Sequence, residues 1–334
     1  MKKILHCSSD SSGCCFYRSY LPYKYLKKDF ITDISIGFSP SLTSKYLESD
    51  VIILQRHAHP EISKFIDISH NLGKKVLFDI DDLLWNIPKS NVAYKSWTKV
   101  MLNNMNSIIS KCDAVITSTE PLSKYIKSRY NDKVYVIRNL VEDNFINKVK
   151  NDKIKIMFSG SITHSGDFDS GVIHALKHIL SKYDIELFFV GYIPDEFNET
   201  KYSDKVRFVK GVDINKYIPT LQSINPDIAI APLVDNYFNI CKSNLKFLEN
   251  TIAGAVSICS DIYPYSTSII DGETGFLCKT SKEWIRAFEN YINNPNLVEM
   301  VYKNSVSTIK DKYTWNNKNI DEVCCTYKDI IDSI

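Results

Sequence analysis

The chain has no apolar run approaching the about 20 residues of a membrane-crossing helix, which argues against an integral membrane span. None of its nine cysteines (7, 14, 15, 112, 241, 259, 278, 324 and 325) forms a C-x-x-C pair, and they build no compact extracellular framework. The thiols are therefore read as reduced and the compartment as cytoplasmic. Neither sign of charge dominates: 41 Lys and Arg stand against 39 Asp and Glu, a net charge of +2. That excludes a global nucleic-acid signature and leaves only local basic patches for such a role. Internal repeats and low-complexity segments are also absent. The opening MKKILHCSSDSSG resembles a secretory leader only briefly; its apolar run is too short and fits a first buried strand.

What is present is length and alternation. A chain of 334 residues suits two domains better than one core. KILHC (3–7), VIIL (51–54), KVLFDI (75–80), AVIT (114–117) and VYVI (134–137) read as parallel strands, with helical patterns near 15–28, 60–72, 95–110 and 120–130. The polar run 141–153 reads as a linker. The alternation then restarts with IKIMFSG (154–160), IELFFVG (185–191), VRFVKG (206–211), DIAIAPL (227–233) and AVSICS (255–260). The expectation is α/β: two Rossmann-like doubly wound domains facing a cleft, with ligands beyond the carboxyl ends of the strands.

Residues 239–261 carry the most chemistry. Lys242 and Ser243 stand where a helix is expected to begin, Glu249 lies two turns in, Gly254 ends the helix, and AVSICS is the next strand. An anion-friendly helix start with a lysine, followed by a carboxylate able to accept two hydroxyl hydrogen bonds, suits a nucleoside diphosphate attached to a sugar. In FDIDDLLWNIP (78–88), carboxylates crowd a strand end, which repels unless they face water, a cation or a hydroxylated substrate. Alternation puts Asp79 and Asp81 on one side, and Asp82 has a helix cap as its structural alternative. In FSGSITHSGDF (158–168), the small residues Gly160 and Ser161 let a diphosphate approach the backbone. In LQRHAHP (54–60), H-x-H lacks a third ligand for zinc, so Arg56 or His57 is read at the cleft edge, or the loop as a cap for the next helix. The glycine-containing loop after the first strand exposes N–H groups to a phosphate or acceptor. Its alternative is a plain turn with Arg18 on a solvated helix face.

The segment KSNLKFLENTIAGAVSICS resembles the donor motif of the family-4 glycosyltransferases, which have the GT-B fold, in a bacterial and viral subset that also carries DIDD. Gly13, Tyr17 and Arg18 resemble that subset's GxxxYR, His164 its GSxTHxxD, and IYPYSTSIIDGETGFLC (262–278) a further family stretch. The resemblance implies residues 1–148 as the acceptor-side domain, 149–312 as the donor domain, and a C-terminal helix in 313–334 crossing back. It implies transfer with retention from a nucleoside-diphosphate sugar, UDP-linked, to a hydroxyl, without a metal. The implied catalytic residues are Asp81, Asp82, His164 and Lys242. Donor binding falls to Gly160, Ser161, Ser243, Asn244 and Glu249, with Glu249 on the ribose and Val209 and Gly211 holding the base by main-chain groups. Gly13, Tyr17, Arg18 and Arg56 are expected on the acceptor side.

The implied acceptor is a glycan, a glycolipid or a modified DNA base. Peripheral membrane contact through the basic, aromatic stretch 17–28 would suit a lipid-linked one, against a solvated face as the favoured alternative. The family's first glutamate is replaced by Cys241, eight positions ahead of Glu249. A different sugar, or placement through Asn239 and Asn244, is the expected consequence. A GT-B-like sugar-nucleotide epimerase and a non-catalytic nucleotide-sugar-binding protein are the competing readings.

Overall fold

The computed structural model describes residues 1–38, 42–198 and 202–334. The first half forms β1 (Lys3–Ser8), β2 (Ile31–Ile36), β3 (Val51–Gln55), β4 (Lys75–Ile80), β5 (Ala114–Thr117) and β6 (Val134–Val136). The second forms β7 (Ile154–Ser159), β8 (Ile185–Val190), β9 (Val206–Val209), β10 (Ile228–Ala231), β11 (Val256–Ser260) and β12 (Phe276–Cys278). The two six-stranded sheets run β2-β1-β3-β4-β5-β6 and β12-β11-β10-β7-β8-β9, with every pairing parallel. The central strands are apolar on both faces because helices cover both sides, as parallel sheets require. This is the expected α/β architecture.

Two strands escape the sequence pattern. β2 is an edge strand whose mostly half-exposed residues give no apolar run. β12 has three residues and follows the tight turn at 271–275, where Gly272 N–H donates to Gly275 O at 2.8 Å. It pairs parallel with β11, so this turn does not join two strands of a hairpin.

The seam between the sheets is packed, not open. The short helix Tyr237–Ile240, part of the second half, carries Phe238 into an apolar cluster of the first half, and Cys241 follows it there beside Leu83 and Leu84. A second cluster joins Ile4 and Tyr17 to Leu233, Phe247 and Leu248. The last helix, Asn317–Asp332, lies on the first half: Tyr327 meets Phe30 edge-on and Lys328 pairs with Asp29 at 2.6 Å. Ahead of it, Trp315 stacks on Tyr25 at 5.0 Å. No helix among the described residues is long and apolar enough to cross a membrane.

Candidate active site

The loops at the carboxyl ends of β1, β3 and β4 meet those of β7 and β10, and there the charged groups gather. Arg56 follows β3 with φ +57°, a left-handed conformation uncommon for a residue with a side chain and often associated with functional sites. Its Nη1 donates to Cys14 Sγ at 2.6 Å and lies 3.8 Å from Asp81 Oδ1, and its guanidinium stands over the Trp97 ring. Burial opposes that charge, but the Asp81 and Asp82 carboxylates outweigh it and keep Arg56 protonated. Asp81 Oδ1 accepts no hydrogen bond. Asp82 faces Lys242 Nζ across the seam at 3.4 Å. Burial alone would raise its pKa; Lys242 and Arg56 reverse this and hold Asp82 below the usual carboxylate range. Cys14, Asp81 and Asp82 bring ligand atoms within 4.8 Å of one another, but Arg56 and Lys242 already balance the two carboxylates. Burial, reinforced by Asp81, keeps Cys14 a thiol.

His164 follows β7, and its Nδ1 lies 2.9 Å from Asp167 Oδ2. Burial lowers its pKa and Lys242 adds to this, against the pull of Asp167. The carboxylate can only accept, so a neutral His164 carries its proton on Nδ1 and offers a lone pair at Nε2. It is thus built to accept from a hydroxyl rather than to donate to a phosphate. Gly160 leaves no room for a side chain: a Cβ there would stand 2.9 Å from Phe158 Cζ and 3.1 Å from His164 Cδ2.

Farther along the seam, Glu249 lies on the helix Leu245–Ile252, buried at 4% exposure. Its Oε2 accepts from Lys246 Nζ at 2.9 Å and from Tyr217 OH at 3.3 Å, and its Oε1 accepts from Tyr17 OH at 2.9 Å. Tyr217 OH also stands 2.9 Å from Ser159 Oγ; its one proton serves Glu249, so the Ser159 hydroxyl is the donor there.

Compared with known proteins, residues 141–307, half of the chain, match the family described as glycosyl transferases group 1. The chain belongs to the group 1 glycosyl transferases. Among curated sequences none matches it significantly. Of the solved structures, sucrose-phosphate synthase from Thermosynechococcus elongatus superposes with a TM-score of 0.71 at 12% identity, covering 100% of both chains. HepE of Anabaena in complex with UDP-glucose gives 0.65 at 13%, again over 100% of both. The apo lipopolysaccharide outer core galactosyltransferase WaaB gives 0.60 at 14%, over 99% of both. At these identities the likeness is one of fold, and the fold is GT-B.

Within this glycosyltransferase, Asp81, Asp82, His164, Lys242 and Arg56 come together, and Glu249 sits with Tyr17. Arg18 does not reach the cleft and lies on no solvated face. Its Nε and Nη2 clasp Asp79 at 2.9 and 2.7 Å, Nη1 donates to Ile137 O and Asn139 Oδ1, and only 3% of the residue is exposed. Asp79 and Asp81 therefore face different partners, because β4 ends at Ile80 and the alternation stops with it. Asp82 caps no helix with its side chain; it faces Lys242. His57 is buried against Cys7 Sγ at 3.4 Å. Ser161 spends its side chain on Thr163, and Gly13, Val209 and Gly211 line the rim half-buried or exposed. The helix after Lys242 begins at Leu245, so Ser243 lies ahead of it and takes a hydrogen bond from Asn139 Nδ2 at 3.0 Å. The Asn244 amide donates to Ser268 Oγ at 3.0 Å, and Asn239 donates to Asp167 Oδ1 at 2.8 Å.

Several participants were not singled out from the sequence: Lys246, Tyr217, Asn139, Cys14 and Gly191. Gly191 carried a signal, a glycine closing an apolar strand. With φ +88° it packs so near Gly160 that a Cβ would stand 2.6 Å from the Gly160 carbonyl oxygen.

The same geometry explains Cys241. Its side chain is fully buried among apolar groups, and burial, with Asp82 beside it, pushes the thiol up to about 12. A glutamate at this position would bury a charge among carbons.

Proposed function

We propose that the protein transfers a sugar from a UDP-linked donor to a hydroxyl of a cell-surface glycan or glycolipid, with retention and without a metal, in the cytoplasm. The observation that carries this is the placement of Lys242 and Glu249 along one seam, opposite Asp81 and Asp82. One end suits a diphosphate and its sugar, the other a ribose. The UDP-glucose held by HepE, of the same fold, supports the choice of donor, and the lipopolysaccharide acceptor of WaaB supports the choice of acceptor class. The first domain, residues 1–148 with the last helix, takes the acceptor, and residues 149–312 take the donor. The DIDD and KSNLKFLE segments support membership of the subset that shares them.

In the reaction the bond between the sugar's anomeric carbon and the diphosphate oxygen breaks, and its electron pair leaves with UDP. The acceptor oxygen bonds to that carbon, and its proton passes to a carboxylate. Lys242 and the start of the helix Leu245–Ile252 stabilise the charge growing on the diphosphate. Asp81, with an oxygen free of hydrogen bonds, orients the acceptor hydroxyl and takes its proton. His164 accepts from a sugar hydroxyl. Asp82, beside both Lys242 and Cys241, supplies from the opposite domain the carboxylate that position 241 lacks. Gly160, Ser161, Ser243 and Asn244 line the diphosphate, Val209 and Gly211 the base, and Gly13 and Arg56 the acceptor end.

The test is release of UDP from a panel of UDP-sugars with glycan acceptors, alongside thermal shift with UDP. Acceptor-dependent release that is lost in Glu249→Ala together with the UDP-induced shift supports the reading. Sugar isomer formation without release marks an epimerase. Binding with neither transfer nor donor hydrolysis marks a binding protein.

A further inference from the structure

Glu249 is held from both sides of the seam. A carboxylate offers about four lone-pair positions, and protein donors fill three of them here: Lys246 and Tyr217 on Oε2, Tyr17 on Oε1. A ribose brings two adjacent hydroxyls. Both can donate to Glu249 only if one protein donor leaves.

The three donors are not equally free to go. Lys246 matches the Glu249 charge and also donates to Tyr217 OH at 2.7 Å. Tyr217 is tied to Ser159 as well. Tyr17 has Glu249 as its one hydrogen-bond partner among the described residues. It belongs to the first domain, in a π-helical turn spanning Phe16–Tyr20, a geometry found disproportionately at functional sites. The next residue, Arg18, is pinned by its pair with Asp79 at 2.7 Å. Beside Tyr17 lies a seam cavity of about 350 Å³, bordered by Phe16, Tyr20, Ile214, Ile218 and Ile252, with room for its ring to swing aside. Burial, with the Glu249 charge, holds the phenol protonated, so Tyr17 acts toward Glu249 only as a donor.

We propose that Tyr17 competes with the donor's ribose for Glu249, which makes it a specificity-determining residue for the donor rather than a contact for the acceptor. The proposal rests on the assignment of Glu249 to the ribose. A nucleotide with both hydroxyls displaces Tyr17 and gains two bonds. A 2′-deoxynucleotide has one hydroxyl for the remaining lone pair and leaves Tyr17 in place.

The test is calorimetric titration of the full chain, of Tyr17→Phe and of Tyr17→Phe combined with Glu249→Gln, with UDP and with 2′-deoxy-UDP. Tyr17→Phe keeps the buried ring and removes only the hydroxyl, and its melting temperature is expected to fall slightly, because the unliganded fold loses that hydrogen bond. It should bind UDP about tenfold more tightly, the effect of one hydrogen bond to a charged group, and bind 2′-deoxy-UDP unchanged. Unchanged or weaker UDP binding by Tyr17→Phe overturns the competition. Equal tightening of both nucleotides also overturns it, since that would report easier opening of the seam. Tyr17→Phe should therefore prefer UDP over the deoxy form about tenfold, and adding Glu249→Gln to it should erase that preference. If the preference survives the added Glu249→Gln, the ribose assignment itself fails. If UDP binds none of the three proteins, the donor reading fails with it.

Discussion

Replacing Arg18 with Met tests the buried pair beneath the site. The guanidinium clasps a fully buried Asp79 and also serves Ile137 O and Asn139 Oδ1. Removing one partner of such a pair destabilises by about 3–5 kcal/mol. A second route gives the same scale. Without Arg18 the carboxylate is protonated on folding, and neutralising a group of pKa about 3.9 at pH 7 costs about 4 kcal/mol. The sign follows. Burial already drives the Asp79 pKa up, against Arg18. In Arg18→Met the folded pKa rises further, so the folded state binds a proton that the unfolded state lacks at pH 7. The deficit should be largest at neutral pH and shrink as pH falls toward the unfolded value. Urea unfolding at pH 7 and pH 5 measures this. Arg18→Met combined with Asp79→Leu removes both charges and should recover most of the loss. A single-variant loss below about 1 kcal/mol, a pH-independent deficit, or a double variant no better than the single would refute the reasoning.

Three further outcomes are expected. Cys241→Glu should lower stability by several kcal/mol without raising UDP-sugar turnover, because the new carboxylate enters an apolar cluster beside Asp82; higher turnover at an unchanged melting temperature would contradict the account of that position. Lys242→Met should reduce turnover by about 10²–10³ while changing UDP affinity much less, as expected for a group that meets charge developing in the transition state; an equal loss in both would assign it to binding alone. Burial pushes His6 down to about 3 and His57 down to about 4. Below about pH 6.5 the unfolded chain binds more protons, so stability is full above that value and falls by about 1.4 kcal/mol per unit for each histidine as pH drops toward those values. His6→Leu should flatten the acid limb of a denaturation series; an unchanged slope would remove His6 from the explanation.

The fold was legible because parallel strands buried on both faces leave apolar runs, and β3, β4, β7 and β11 all do. β2 left none, because an edge strand needs burial on neither side. Lys242, Glu249 and the glycine at 160 were legible because local spacing around a helix start or strand end sets their placement. What failed was long range. Nothing near Arg18 announces that Asp79, 61 positions away, will neutralise it, and Tyr17 meets Glu249 across 232 positions. Cys241 read as a lost acceptor because its surroundings are lent by the other half of the chain, and only the assembled seam shows them to be apolar.

The helix carrying Phe238 acts as a plug, and a plug constrains how the molecule can come apart. Withdrawing it exposes a phenylalanine worth about 2 kcal/mol of burial, so wide opening of the cleft, which breaks the other seam contacts as well, is an excited state populated at about a few per cent at most, not a free hinge. Substrates then enter mainly through side-chain rearrangements along a standing seam. The two halves should melt in one transition, and either half made alone should be sticky where the other has been cut away.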